Sequence, residues 1–431
     1  MNRRERRAPS RSLLTVLLGA VGAGPLMLYG LSAVSDSVIV DLGISEAQFG
    51  LLATACFACA AIGNGTLGRV ADKHSDTSLM TVVFVLAAAA LMLVAIPAGF
   101  WMLLIAAGIS GIAQSFPNGV TNRILLERVP TSKRIGWVGI KQSGVQVSQL
   151  TASLAFPLLA TAAGWRGAAL LIALVPLLLM VLSWRSLRVA PLLTDVPSRS
   201  VDTTEAAESE AAESEAAESE TAESETAAEV VDAASVTSTR YPGMVWALAA
   251  FGLLNGVGVQ ATNVYMPLFS VRELGFPLVL GGLTAAVAGA IGVAARVGWA
   301  RQMARGASGP RVLLLLALVA VIGAAMFYGA GVSGWAWMLW VAAALHGTSA
   351  LGVSVVLMSA LLRSIPSASM ASASGMVSAG MFAGFALGPV GMGLLVSSPG
   401  GFSLGWVVVG LIYLLCALLA VLLIRAARRR E

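Results

Sequence analysis

Lys141 is a cation inside an apolar stretch, and Gln142, Gln146, Gln149 and Ser153 follow it at spacings that place them on one helical face. An ionised side chain at the centre of a bilayer costs about 2.5–3.5 kcal/mol on insertion scales, so each one needs a reason. Two readings of Lys141 stand: a ligand for an anionic substrate, or a structural ammonium that reaches helix carbonyls or a carboxylate such as Glu127. Arg296 lies one turn before the end of its apolar stretch and is either a substrate ligand or a charge that snorkels to the interface. His346 is the intramembrane side chain whose type titrates near neutral, so it is either a proton carrier or a neutral, hydrogen-bonded ring.

Uncharged polar groups surround these three. Ser110, Gln114, Asn118 and Asn122 recur at i+4 spacing and are expected to face water or substrate; hydrogen bonding between helices is the alternative. Asn255, Gln260, Asn263 and Tyr265 lie in a later stretch, and Tyr29 lies in the first. The candidate substrate ligands are therefore Lys141, Gln142, Arg296, Gln114, Asn118, Asn263 and Tyr29, with His346 as the candidate for proton coupling.

The carboxylates stay out of the apolar stretches. Asp36 and Asp41 flank the first, and Glu127 closes the fourth. Cations without acidic partners favour an anionic substrate, which would itself neutralise them. There is no metal cluster, no paired carboxylates and no nucleophile–base set, so no enzyme and no cofactor are expected. Cys56 and Cys59, one helical turn apart in an apolar stretch, read as packing rather than redox or metal chemistry.

The elements that must position these residues are membrane helices. The 431-residue chain is 57% hydrophobic and 11% charged, with a mean hydropathy of +0.84. That is the composition of a polytopic helical membrane protein. Twelve spans are predicted: 12–34, 47–66, 78–97, 100–122, 135–160, 166–184, 243–267, 278–299, 311–330, 335–362, 372–397 and 404–424. Each is long enough to cross a bilayer, and backbone groups in lipid must be paired, so each is a helix. The basic start followed by an apolar run mimics a signal peptide, but the run is too long for one and reads as an uncleaved first helix.

Orientation follows from the basic residues. All but Arg166, Arg272 and Lys141 of the 27 Lys and Arg fall on one side of this layout, which makes that side cytoplasmic and puts both termini there. The expected organisation is a basic tail (1–11), a six-helix bundle (12–184), an acidic linker (185–242), a second six-helix bundle (243–424) and a basic tail (425–431). The linker repeats AAESE three times in tandem and holds 13 of the 22 acids, without Lys partners that would support a helix, so it reads as a self-repelling, disordered expansion. Nucleic-acid binding is an unnecessary reading of the basic charge.

The two bundles align on each other. Asp41-Leu42-Gly43 matches Glu273-Leu274-Gly275, and Gly50-Leu51 matches Gly282-Leu283, at an offset of 232. At an offset of 236, Val129-Pro130 matches Ile365-Pro366, and Gly111, Gly139 and Gly144 match Gly347, Gly375 and Gly380. Parallel repeats of this kind place a substrate site between them near the midplane.

Between spans 2 and 3 the chain reads Gly68-Arg69-Val70-Ala71-Asp72-Lys73. This resembles the signature loop of the major facilitator superfamily, matching at Gly68, Asp72 and Lys73 and departing at Ser75, Asp76 and Thr77, where glycine and basic residues are usual. The resemblance implies an all-α fold of twelve membrane helices in two pseudo-symmetric six-helix halves, with spans 1, 4, 7 and 10 lining a cavity. It also implies a gating role for Gly68, Asp72 and Lys73, with Asp72 facing the start of span 11 near Ser367–Ser374; an acid satisfied within its own loop is the alternative. The corresponding loop of the second half, 300–305, has no acid, so such a latch is one-sided. Span 5 reads Gly139-Ile140-Lys141-Gln142-Ser143-Gly144 rather than the glycine- and proline-rich stretch of proton-driven drug antiporters in that superfamily. With Gly164-Trp165-Arg166 it is similar to cyanate-transporter-like and related small-anion branches.

The expectation is a monomeric, multi-pass plasma-membrane transporter that moves a small organic anion by alternating access, with a coupling ion. The alternatives are an exporter of amphiphilic or drug-like compounds, and a membrane sensor or scaffold acting through the linker. Deleting 200–235 separates the last, because a transporter keeps its activity without that segment.

Overall fold

The computed structural model describes residues 11–72, 74–130, 137, 140–141, 143–189, 243–363 and 370–428; within these, side chains are described outside 65–72, 118, 126, 189, 370–372, 427 and 428. Every described element is a helix. The expected 185–242 linker falls outside the described residues apart from its start, where the helix of span 6 continues to Val189.

Among the described residues, nine helices are long and apolar enough to cross a membrane, or ten when the bent pair Arg11–Ala23 and Pro25–Ala33 counts as one span. Two local features separate this count from twelve. The segment Gly144–Arg188 passes as one 45-residue span, but Gly164 has φ 69° and ψ 166°, a conformation open to glycine alone. Arg166 pairs with Asp41 at 2.5 Å, while Leu187 accepts from Arg128 at 3.0 Å. The chain therefore turns back at Gly164, and the segment is two crossings. Span 4 is the other case. It is two short helices, Gly99–Ala113 and Pro117–Arg128, and the second is too polar to pass.

The crossings define two ends of the bundle. One holds the described N-terminus at Arg11, Ser75, Arg128, Leu187, Gly243, Arg305 and Arg363; the other, the far end, holds Asp36, Glu46, Gly164, Arg272, Gly334 and Ser397.

Among the described residues spans 1, 4 and 10 are broken, and a proline marks the first two breaks. Span 1 bends by 61° at Gly24-Pro25, where proline removes a donor and clashes with the preceding turn. The carbonyl of Gly24 accepts from Ser110 Oγ at 2.7 Å. Span 4 breaks over Gln114–Phe116, just before Pro117. Span 10 breaks at the 3-10 turn Ala350–Gly352, between helices Ala336–Thr348 and Val353–Leu362. The offset of 236 maps Gln114 onto Ala350, so the two repeats break their fourth helices at the same place.

The same registers reappear as contacts. A Cβ on Gly111 would collide with the carbonyl of Cys56, and one on Gly347 with the carbonyl of Ala288, which is the repeat mate of Cys56. Between the halves, a Cβ on Gly50 would strike the carbonyl of Pro389 and one on Gly282 that of Ser153, again repeat mates. Spans 2 and 11 thus meet as spans 8 and 5 do. Both seams need glycine because backbone approaches backbone with no room for a side chain.

The far end is closed by polar contacts between the halves. Arg272 Nε donates to Asp36 Oδ1 at 2.7 Å, and its Nη1 pairs with Glu46 Oε1. Ser397 Oγ donates to Glu46 Oε2 at 3.0 Å, and Tyr265 donates to the Glu46 carbonyl at 2.5 Å. Deeper, Ser32 Oγ donates to the Val264 carbonyl at 2.6 Å and Thr54 Oγ1 to that of Ala386 at 2.6 Å.

Candidate functional site

Span 5 brings Gln149 to the seam between the halves, and span 7 brings Asn263 to meet it. Gln149 Nε2 donates to Asn263 Oδ1 at 3.3 Å and lies 3.4 Å from the carbonyl of Ala285 in span 8. His346 Nε2 sits 3.0 Å from the same Asn263 oxygen. With Asn263 Oδ1 as acceptor, Nε2 carries the ring proton, a tautomer assigned from this network. Three spans from both halves thus converge on one amide. His346 also borders a cavity of about 10 Å³ with Thr262 and Tyr413.

About one turn toward the other end lie Gln146 and Gln260, both buried. Tyr29 of span 1 faces Gln260 and lies in the field of Arg296. Gly289 of span 8 packs beside both glutamines of span 5: its Cβ position is 3.4 Å from the Gln146 carbonyl and 3.5 Å from Gln149 Cδ. Gln146 Oε1, Gln149 Oε1, Gln260 Oε1 and Asn263 Nδ2 are buried and have no hydrogen-bond partner among the described residues. A buried unsatisfied polar group costs about 1–3 kcal/mol, so these four amide atoms are places where a ligand group or water is stabilised.

Arg296 is held by the break in span 10. A broken helix frees carbonyls, and here each finds a donor: Trp299 Nε1 reaches Thr348 O at 2.8 Å, Asn255 Nδ2 reaches Ala350 O at 3.3 Å, and Arg296 Nε reaches Leu351 O at 3.2 Å. Among the described residues no carboxylate lies within ion-pair distance of Arg296. The guanidinium is oriented through Nε, which leaves its two terminal nitrogens for another ligand.

Lys141 is fully buried, and its Nζ donates to Asn122 Oδ1. The structure thus joins the cation of span 5 to the polar stripe of span 4 within one half. The break in span 4 divides that stripe. Ser110 binds the Gly24 carbonyl, while Gln114 Nε2 approaches Cys56 Sγ at 3.0 Å and the Ser110 carbonyl at 3.4 Å. Cys56 and Cys59 are free thiols, and Cys56 is buried.

The remaining sequence candidates are placed as follows. Gln142 and Lys73 lie outside the described residues, and Asn118, Gly68 and Asp72 lie in helices without described side chains. Residues 364–369, part of the expected partner of Asp72, are also outside. Where the signature loop departs from its family pattern, local bonds explain the change: Ser75 caps the helix of span 3 by accepting from Ser78 N, and Asp76 accepts from Arg123 Nε at 2.6 Å.

Sequence reasoning placed Gln149 on a polar face but did not pair it with Asn263, and it read Arg272 only as a topological charge. The proximity of Asp36 and Glu46 to the same predicted end was the available signal for the Arg272 contacts.

Comparison with known proteins agrees with this architecture. A bacterial homolog of the human lysosomal transporter Spinster, solved inward-facing and unoccupied, superposes with a TM-score of 0.72 at 17% identity, covering 95% of this chain and 96% of that one. The nucleoside transporter NupG superposes with a TM-score of 0.67 at 14% identity, covering 95% and 98%. At these identities the likeness is one of fold. In sequence, the sialic acid transporter NanX of Escherichia coli is 28% identical over 141 residues, 33% of this chain and 35% of that protein. A Haemophilus influenzae protein named for metabolite transport is 34% identical over 154 residues, 34% and 37% of the two chains. The chain thus spans about a third of the length of these curated relatives. The Major Facilitator Superfamily pattern matches residues 12–372. With most of its length matched and its helices arranged as in solved members, this membrane protein belongs to the major facilitator superfamily of transporters.

Proposed function

We propose that this transporter moves a small organic anion by alternating access of its two halves, and that Arg296 is the residue that binds the anionic group. The carrying observation is the state of that guanidinium. It is part-buried, anchored through Nε to the Leu351 carbonyl, and without a carboxylate among the described residues. A cation kept in this condition inside a membrane protein is stabilised when an anion arrives. Lys141, buried and bonded to Asn122, adds positive potential from the other half. The similarity to an acid transporter, NanX, supports the same substrate charge.

The repeats supply the motion. Both glycine seams and the Arg272 contacts lie on the far-end side of the Gln149–Asn263 level. The basic bias puts the opposite end in the cytoplasm. In this reading the structure has its extracytoplasmic gate shut, and transport requires those contacts to part. His346 fixes the amide of Asn263 and so couples the substrate level to span 10.

Binding and transport by purified protein test the reading. Lys141→Ala and Arg296→Gln are each expected to abolish uptake of anions into proteoliposomes while the protein still inserts and folds. Anion uptake unchanged in both variants would overturn the assignment of these two residues, and transport insensitive to both but competed by lipophilic cations would favour amphiphilic compounds instead.

A further inference from the structure

Resting on that anion-transport reading, we infer that the substrate is a polyhydroxylated monocarboxylate rather than a bare anion. The inference comes from the direction of the unpaired hydrogen-bonding groups. Three are acceptors, Gln146 Oε1, Gln149 Oε1 and Gln260 Oε1, and one is a donor, Asn263 Nδ2. For Gln149 and Asn263 the amide orientations are set by partners: Gln149 Nε2 is used on Asn263 Oδ1, and that oxygen also meets His346 Nε2. Turning either amide over would set like groups against each other.

A small anion without hydroxyls offers only acceptors. It matches Arg296 and Asn263 Nδ2 but leaves three carboxamide oxygens unpaired. A hydroxyl both donates and accepts, so a short carbon chain carrying several of them satisfies the oxygens in turn. Those oxygens belong to residues at most 4% exposed, on spans 5 and 7, from both halves. The one carboxylate takes the terminal nitrogens of Arg296, near Tyr29. A neutral polyol would leave that guanidinium without its counter-charge, and a hydrocarbon acid would leave the glutamines without donors.

The experiment uses the full-length protein in detergent and three six-carbon probes: gluconate, hexanoate and sorbitol, with glycerate as a shorter hydroxy acid. Affinities are read by calorimetry and by ligand-dependent thermal shift. Gluconate or glycerate is expected to bind at least about tenfold tighter than hexanoate and sorbitol, since each unmet acceptor costs about that factor. Gln149→Leu and, independently, Gln260→Leu are expected to bring the hydroxy-acid to hexanoate ratio toward one. Arg296→Gln is expected to bring the gluconate to sorbitol ratio toward one. Hexanoate binding as tightly as the hydroxy acids in an Arg296-dependent manner overturns the hydroxyl inference and leaves the anion reading standing. Sorbitol binding as tightly as gluconate, or no binding by either hydroxy acid, overturns the inference and counts against the anion reading as well.

Discussion

Arg272 of span 7 grips Asp36 of span 1, with Nε 2.7 Å from Oδ1, and so ties the two halves at the far end. The same guanidinium reaches Glu46 of span 2. These groups are a fifth to a third exposed, so the network contributes about 1 kcal/mol rather than the value of a buried pair. Arg272→Gln is therefore expected to raise the population with the far end open by roughly fivefold and to leave the fold intact. Distances between spin labels placed at the far end of the two halves, measured in the absence of ligand, check this. An unchanged distance distribution would remove Arg272 from the gate.

The glycine seams make a separate prediction. A side chain at Gly282 meets the Ser153 carbonyl, and one at Gly50 meets that of Pro389, each across the interface. Gly282→Val cannot be accommodated by a rotamer change because the obstacle is backbone. It is expected to hold the far end open and to block uptake, with the protein remaining monodisperse in detergent. Alkylation of a cysteine introduced at Ser153 reads the opening, since that position is buried in the closed seam.

Asn122 and Lys141 are a third pair. Removing Asn122 takes a hydrogen bond from a buried ammonium, worth about 1.5–3 kcal/mol. Asn122→Leu is expected to lower the melting temperature more than Lys141→Met, and the double variant to recover part of the loss. Non-additivity of that sign in a thermal double-mutant cycle marks a direct coupling; additive losses would contradict it.

Much of the scaffold was legible because it repeats. Offsets of 232 and 236, read from short matches such as Gly111 with Gly347, reappear as the contacts Gly111–Cys56 and Gly347–Ala288. Hydropathy marks a span whether or not its helix is continuous, so it does not reveal that spans 1, 4 and 10 are broken. Gly24-Pro25 and Pro117 were the visible signs, and the turn at Ala350 has no proline to announce it. The site was legible by residue type but not by partner. Asn263 and His346 were each evident as polar groups in apolar stretches, yet 83 residues separate them, and only the packing of span 7 against span 10 brings them to 3.0 Å. Arg296 was read as near the end of its span, where snorkelling competes with binding. The freed Leu351 carbonyl that orients it follows from the break in span 10 and has no local sequence signature.

The most direct test of the account is substrate counterflow in proteoliposomes, comparing the wild type with Arg296→Gln. Vesicles are loaded with gluconate and diluted into a trace of the labelled acid. The account predicts transient accumulation of label by the wild type and a loss of roughly ten- to a hundredfold in the variant, the worth of a charge-assisted hydrogen bond to the carboxylate. Equal accumulation in both proteins would contradict the assignment of Arg296, and absence of accumulation by the wild type would count against the claim that such an anion is what this transporter carries.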